Sequence, residues 1–199
     1  MGWRVFAIDA LPEEPWRNGG GRTRTLAAQP REAGEPPWDW RISLATIEQS
    51  TAFSAFAGVD RVSVLLGTGQ IQLSAEGEST LQMHQPGDTV AYRGEARWQA
   101  EVRRVELPLA LLNVMTRRGA ACARVQALRE DAVLSGHVLA AVVVEGVWRV
   151  AATPHGEALM LSAGCCAVLD DAPGRSIAGC RIEHVSTAGW LVAVSIELP

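Results

Sequence analysis

Lysine is absent from this chain of 199 residues: all 18 basic side chains are arginine. That removes Schiff-base chemistry, lysine-anchored pyridoxal phosphate and a phosphate-loop lysine. Any bound anion must be held by guanidinium or backbone N–H groups. Cysteine is scarce, at four, and no Cys-x-x-Cys occurs. Cys165 and Cys166 are adjacent, so on a strand they point to opposite faces and pair poorly. Together with Cys122 and Cys180 they read as reduced thiols used as small hydrophobes. Long apolar runs are missing too. The longest, Val138 to Val144, suits a buried strand and falls far short of the roughly 20 residues that span a bilayer. The first residues include Asp9, Glu13 and Glu14 and form no secretory signal, so the expected location is cytoplasmic, without a membrane partner. With a net charge of −4 and no basic tract, nucleic acid is not an expected partner either.

Metal and nucleophile signatures are equally thin. His84, His137, His155 and His184 are far apart, with no His-x-His and no His-Glu-x-x-His, so no metal and no other cofactor is expected. Gly-x-Ser-x-Gly is absent, and no catalytic residue stands out.

What the chain does have is alternation. Trp40, Ile42 and Leu44 share one face of a strand, with Arg41 and Ser43 on the other. Arg61-Val62-Ser63-Val64 repeats the pattern, and Trp190 to Ile196 does so less strictly. Turn signals such as Gly67-Thr68-Gly69, Pro86-Gly87-Asp88, Glu145-Gly146 and Pro173-Gly174 separate the runs, which predicts an all-β sandwich or barrel. The best helical stretch is a short connector over Gly119 to Arg129. Val64 to Gly69 can be laid over Ala141 to Gly146, and at the same offset Leu81 to Gly87 over Ala158 to Gly164. That repeat predicts two similar barrels in tandem, residues 1–120 and 121–199, sharing one core or exchanging strands.

Four segments carry functional signal. Pro15-Trp16-Arg17-Asn18-Gly19-Gly20-Gly21-Arg22-Thr23 has three glycines that permit close backbone approach and an anion nest; a plain turn is the competing reading. In Trp38 to Ser43, an arginine facing a lumen would need an anionic partner, because a buried charge does not stay unpaired. Phe53 to Arg61 reads chiefly as a packed strand connection, with Arg61 pairing Asp60 or reaching inward. In Leu112 to Gly119, alternation puts Asn113, Met115 and Arg117 on one wall, suited to a small carboxylate or amide.

In this order the four segments resemble the HutD/Ves family, whose motifs are a Pro-Trp-Lys/Arg-Asn-Gly-Gly-Gly-x-Thr loop, Trp-Arg-Ile-Ser, Phe-Ser-x-Phe-x-Gly-x-Asp-Arg and Asn-x-Met-x-Arg-Arg. The match covers roughly residues 3–120; the second half agrees only in strand pattern. The resemblance implies a bicupin, two tandem jelly-roll barrels with a short connector, often a homodimer. It also implies an accessory or regulatory role in histidine utilisation or stress-induced expression, with formylglutamate or urocanate as a plausible ligand. One departure is Leu111, where the family often carries an acidic residue two positions before the asparagine. Metal-binding cupins place a histidine after a Gly-Asp turn; here none follows Gly87-Asp88 in Thr89 to Arg97.

These readings converge on a small anionic metabolite bound by Arg41, Ser43, Asn113, Met115, Arg117 and Arg61, with Asn18, Gly19, Gly20 and Thr23 at the mouth. Two rivals stay open. One is a cofactor-free isomerase, lyase or hydrolase using His84 or Glu101. The other is a protein-interaction module built on the Trp16–Gly21 loop.

Overall fold

A computed structural model describes residues 2–103, 109–152, 158–170 and 176–199. His155 and the Pro173-Gly174 turn lie outside the described residues. Among the described residues the regular structure is β throughout, apart from a single 3-10 turn, Ile8–Ala10.

The chain divides into two compact units. Leu11–Ala120 forms one; Met1–Ala10 and Ala121–Pro199 form the other. A single boundary after residue 120, as the repeat predicts, leaves the first ten residues on the other side of it. They belong with the second unit because the first strand, β1 (Trp3–Ala7), pairs antiparallel with Cys165–Asp170.

The Leu11–Ala120 unit contains β2 (Glu14–Pro15), β3 (Gly21–Pro30), β4 (Trp38–Ile47), β5 (Thr51–Ala52) and β6 (Val59–Leu65). It continues with β7 (Gln70–Ser74), β8 (Leu81–Met83), β9 (Thr89–Arg93), β10 (Gln99–Arg103) and β11 (Leu109–Arg117). They form two sheets, in the orders β2-β3-β4-β11-β6-β9 and β5-β10-β7-β8. Between them lies a core that includes Ile47, Leu65, Ile71, Leu73, Trp98 and Leu111, supplied by every second residue of each strand, as the two-residue period requires.

The other unit contains β12 (Cys122–Leu128), β13 (Ala132–Gly136), β14 (Val138–Glu145) and β15 (Val147–Ala152). β16 (Leu159–Ser162), β17 (Cys165–Asp170), β18 (Ile177–His184) and β19 (Trp190–Glu197) complete it. Its sheets run β1-β17-β14-β19-β12 and β13-β18-β15-β16. Matched strand for strand, β4-β11-β6-β9 reappears as β12-β19-β14-β17, and β5-β10-β7-β8 as β13-β18-β15-β16. The weak sequence repeat is matched by a repeat of topology, with the overlay corrected by one residue on the first strand: the Gly87 N–H donates to the Leu65 carbonyl and the Gly164 N–H to the Val143 carbonyl, so Leu65 corresponds to Val143 and not to Val142. The fold is a bicupin.

The expected helix over Gly119 to Arg129 is corrected: residues 122–128 are β12, paired in register with β19 from Cys122↔Glu197 to Leu128↔Leu191. Ala, Arg, Gln and Leu give this stretch fair helix propensity, but a sheet edge offers seven residues a ready ladder, and tertiary context outweighs propensity. All four cysteines are free thiols. Cys166 and Cys180 are buried; Cys122 is exposed and fills no core. No helix among the described residues is long and apolar enough to cross a membrane.

Candidate functional site

Three adjacent strands of the Leu11–Ala120 unit carry polar residues on the face where the rest of the barrel is apolar. Register places Arg41, Met115 and Arg61 in one cross-strand row, running on to Tyr92. The next inward row is Ser43, Asn113 and Ser63. The row below is Ala45, Leu111 and Leu65, already core. Two polar layers thus sit on an apolar floor, and a cavity of about 730 Å³ opens above them. Arg41, Ser43, Asn113, Met115 and Arg61 line it; Phe53, Ser54 and Phe56 close one side, and Trp16, Asn18 and Thr23 stand nearer the mouth.

Arg61 is the unusual member. It is only 4% exposed, yet among the described residues no carboxylate pairs with it. Its neighbour Asp60 is taken by Arg118, so the local pairing expected for Arg61 does not form. One guanidinium nitrogen donates to the Ser54 carbonyl at 3.2 Å. The rings of Phe53 and Tyr92 lie 5.2 and 5.1 Å from the guanidinium carbon, close enough for cation–π attraction. Its Nε–H is buried without a partner. Burial pushes the Arg61 pKa down from arginine's ordinary value; Tyr92 offsets part of this, and Arg41 lowers it further. Guanidinium stays charged in proteins nonetheless, so a buried cation lines the cavity, with its unpartnered Nε–H enclosed behind it.

Arg41 lies across β11 from Arg61, two strand spacings or about 10 Å away. It donates to the Thr25 hydroxyl at 2.7 Å and approaches Glu14 only to 3.9 Å. Its pKa is lowered too, chiefly by burial, with Glu14 acting against it.

Asn113 is oriented from behind. Ser63 Oγ donates to Asn113 Oδ1 at 2.6 Å and lies 2.9 Å from the Tyr92 hydroxyl. Ser63 has one proton, and it goes to Asn113, so Tyr92 must be the donor to Ser63. The relay occupies the amide oxygen and leaves the amide N–H₂ end for the cavity. Arginine, asparagine and serine together therefore present donors, the set that recognises a carboxylate.

Three expected site residues are placed elsewhere. Arg117 does not line the cavity. Asp39 accepts from its Nε at 2.8 Å and lies 2.7 Å from a terminal nitrogen, so the alternation that unites Asn113, Met115 and Arg117 runs past the end of the site into an ion pair. Gly19 and Gly20 form no free anion nest: the Gly19 N–H donates to the Trp16 carbonyl and the Gly20 N–H to Asn18 Oδ1, at 3.0 and 3.1 Å. Their role is steric. Gly19 has φ +69°, a Cβ on Gly20 would run into the Thr51 side chain, and one on Gly21 into the Thr46 carbonyl. Asn18 clamps the same loop to β5 through Thr51 Oγ1 and the Ala52 carbonyl, at 2.9 and 3.0 Å. Trp16 is fixed by its indole N–H on Thr23 Oγ1 at 2.7 Å and by an edge contact with Phe53.

His84 and Glu101 are exposed and off the cavity wall. His84 contacts Gln82, and Glu101 pairs with Arg103. Among the described residues no three His, Cys, Asp or Glu side chains converge as a metal site. Glu35 lines the cavity, and Ser63 and Tyr92 support Asn113 and Arg61 from behind, although no sequence motif singles the three out. Ser63 is the most legible of them, two residues from Arg61 on one strand. Glu35 reaches the cavity from a loop, where periodicity says nothing.

Among the described residues of the second unit, the matching strand positions are apolar. Equivalent register puts Leu139 at the Arg61 position, Ala141 at Ser63 and Ala193 at Asn113. All three belong to a core closed by Trp148, Leu161 and Ile182.

Comparison with known proteins gives the family and the fold. A family model described as HutD matches residues 9–185. A protein Ves from Citrobacter koseri is 32% identical over 147 residues, covering 72% of this chain and 74% of the relative. A Pseudomonas putida protein, described as an uncharacterised 21.2 kDa protein in the hutC 3′ region, is 36% identical over 96 residues, 47% of this chain and 48% of that one. Among solved structures, HutD from Pseudomonas fluorescens SBW25 superposes with a TM-score of 0.81 at 20% identity, covering 100% of both chains. The family model, matching most of the chain, and the Ves relative establish that the chain belongs to the HutD family.

Proposed function

We propose that the Leu11–Ala120 barrel binds a small carboxylate and that the protein acts as an accessory or regulatory factor linked to histidine utilisation. The observation that carries this reading is Arg61: a buried cation on the cavity wall, unpaired by any carboxylate among the described residues. A buried charge left uncompensated is costly, and an anion in the cavity supplies what the fold withholds. Arg41, Ser43 and the amide end of Asn113 add donors on the same wall. Two facts about relatives support the ligand class and the setting. The P. fluorescens HutD structure was obtained in a formate condition, and the P. putida relative belongs to the hutC 3′ region. Formylglutamate and urocanate carry the carboxylate this wall suits.

A thermal-shift series with formate, urocanate, formylglutamate, histidine and glutamate tests the proposal. Binding to the folded state alone stabilises by about 2.7 kcal/mol at a hundredfold excess over Kd. At least one of these acids is expected to raise Tm, and Arg41→Ala to blunt the rise. No shift with any of them, in titrations to millimolar concentration, overturns the reading.

A further inference from the structure

We propose that the cavity takes a two-ended ligand, with a carboxylate at the arginine wall and a cationic group, an ammonium or amidinium, at the rim. This rests on the carboxylate reading above and narrows it. The first argument is size. The cavity holds about 730 Å³, whereas a one-carbon acid displaces on the order of 60 Å³, about two waters. An occupant matched to such a volume extends well beyond its carboxylate.

The second argument is where the negative charge lies. Glu14 and Glu35 also line the cavity. Both are exposed, on the rim side, while Arg61 and the row Ser43–Asn113–Ser63 are buried. Glu14 is 3.9 Å from Arg41 with a side chain 67% exposed, too loose to count as a committed ion pair. The neighbouring Glu13 holds Arg22 and Arg24, leaving Glu14 free of them. Arg17 is exposed in the same lining and offsets one of the two carboxylates, so the rim keeps a net negative charge that disfavours the far end of a simple dianion. A ligand with a positive end meets complementary charge at both ends.

The third argument is charge balance. The lining carries three guanidinium groups, Arg17, Arg41 and Arg61, and two carboxylates, Glu14 and Glu35. The surplus is a single positive charge. It suits a ligand of net charge near −1 or a zwitterion better than a dianion.

Three acids of equal chain length separate the terms: pentanoate, 5-aminopentanoate and glutarate, which end in methyl, ammonium and carboxylate. Affinities are measured by calorimetry on the full chain and on the Glu14→Gln/Glu35→Gln variant. The amino acid is expected to bind at least about threefold more tightly than pentanoate, the weight of one or two half-exposed ion pairs, and glutarate more weakly than the amino acid. In the variant that preference, read as the ratio of the two affinities, disappears, while both acids gain from the loss of the Glu14 charge beside Arg41. Equal binding of all three, a preference for glutarate, or a preference that survives the variant overturns the two-ended ligand and leaves the carboxylate reading standing. If none of the three binds and the thermal-shift series is also silent, both fall.

Discussion

Replacing Arg61 by methionine keeps an unbranched side chain of similar length and removes the guanidinium. In the ligand-free protein this changes several terms at once. Lost are two cation–π contacts, with Phe53 and Tyr92, worth about 0.5–2 kcal/mol each, and one charge-assisted hydrogen bond to Ser54, about 1.5–3 kcal/mol. Relieved are the unsatisfied Nε–H, about 1–3 kcal/mol, and the cost of holding an uncompensated charge in a site 4% exposed, several kcal/mol by analogy with broken buried pairs. The methionine stem adds apolar contact with the same two rings. The balance favours the variant by roughly 1–2 kcal/mol, and for a chain of this size each kcal/mol moves Tm by about 2–4 °C. Ligand-free Arg61→Met is therefore expected to melt roughly 2–8 °C above the wild type, yet to show no carboxylate-induced shift. Differential scanning calorimetry with and without acid reads both quantities. A ligand-free variant that melts more than about 4 °C below the wild type would refute the reasoning, because the fold itself would then be compensating the cation. This is the stability–function opposition that binding sites build in.

Two further predictions concern the scaffold. Gly20→Ala places a Cβ against Thr51 and disturbs the Asn18 clamp, so it is expected to cost about 1–3 kcal/mol, as overpacking does; Gly67→Ala, with open space around its Cβ, should stay within about 0.5 kcal/mol, and equal effects by urea titration would sink the steric account of the glycine run. Burial pushes the thiols of Cys166 and Cys180 up to about 12 and about 11. Both stay protonated in the folded state while unfolding lets them ionise near pH ~8.5, so stability is complete below that pH and falls as pH rises toward the folded values. Wild type should lose stability between about pH 9 and 11 more steeply than Cys166→Ala, and a parallel pH dependence would contradict it.

Much of the barrel is legible in the sequence because strand alternation is a local signal. The two-residue period alone assigns Arg41 and Ser43 to one face, and Asn113 and Met115 to one face of another strand. Alternation fails where it continues past the feature it marks: Arg117 obeys the same period, but Asp39 waits at the sheet end and claims it. It also fails where partners come from elsewhere in the chain. The Tyr92–Ser63–Asn113 relay joins three strands, and nothing in any one of them announces the other two. The three glycines advertise a backbone site, yet two of them answer to Thr51 and Thr46, residues more than twenty positions away. β12 reads as a helix because its composition favours one, while its conformation is decided by β19.

The repeat turns this into an argument about purpose. Two barrels with the same strand order solve the same packing problem, so residues that differ at equivalent positions are not dictated by the fold. In the second barrel the buried places of Arg61, Ser63 and Asn113 are filled by Leu139, Ala141 and Ala193, and Trp148 and Val150 pack into the same core. Polar character survives there mainly on the edge strand, at Arg124 and Gln126, and Arg124 is exposed. The fold thus closes without a buried cation, and an apolar lumen is the cheaper solution. A guanidinium on the wall of the first lumen, and an amide whose oxygen is taken by the Ser63 hydroxyl so that its N–H₂ end is left over, fit the proposed ligand, one that enters the cavity and accepts hydrogen bonds.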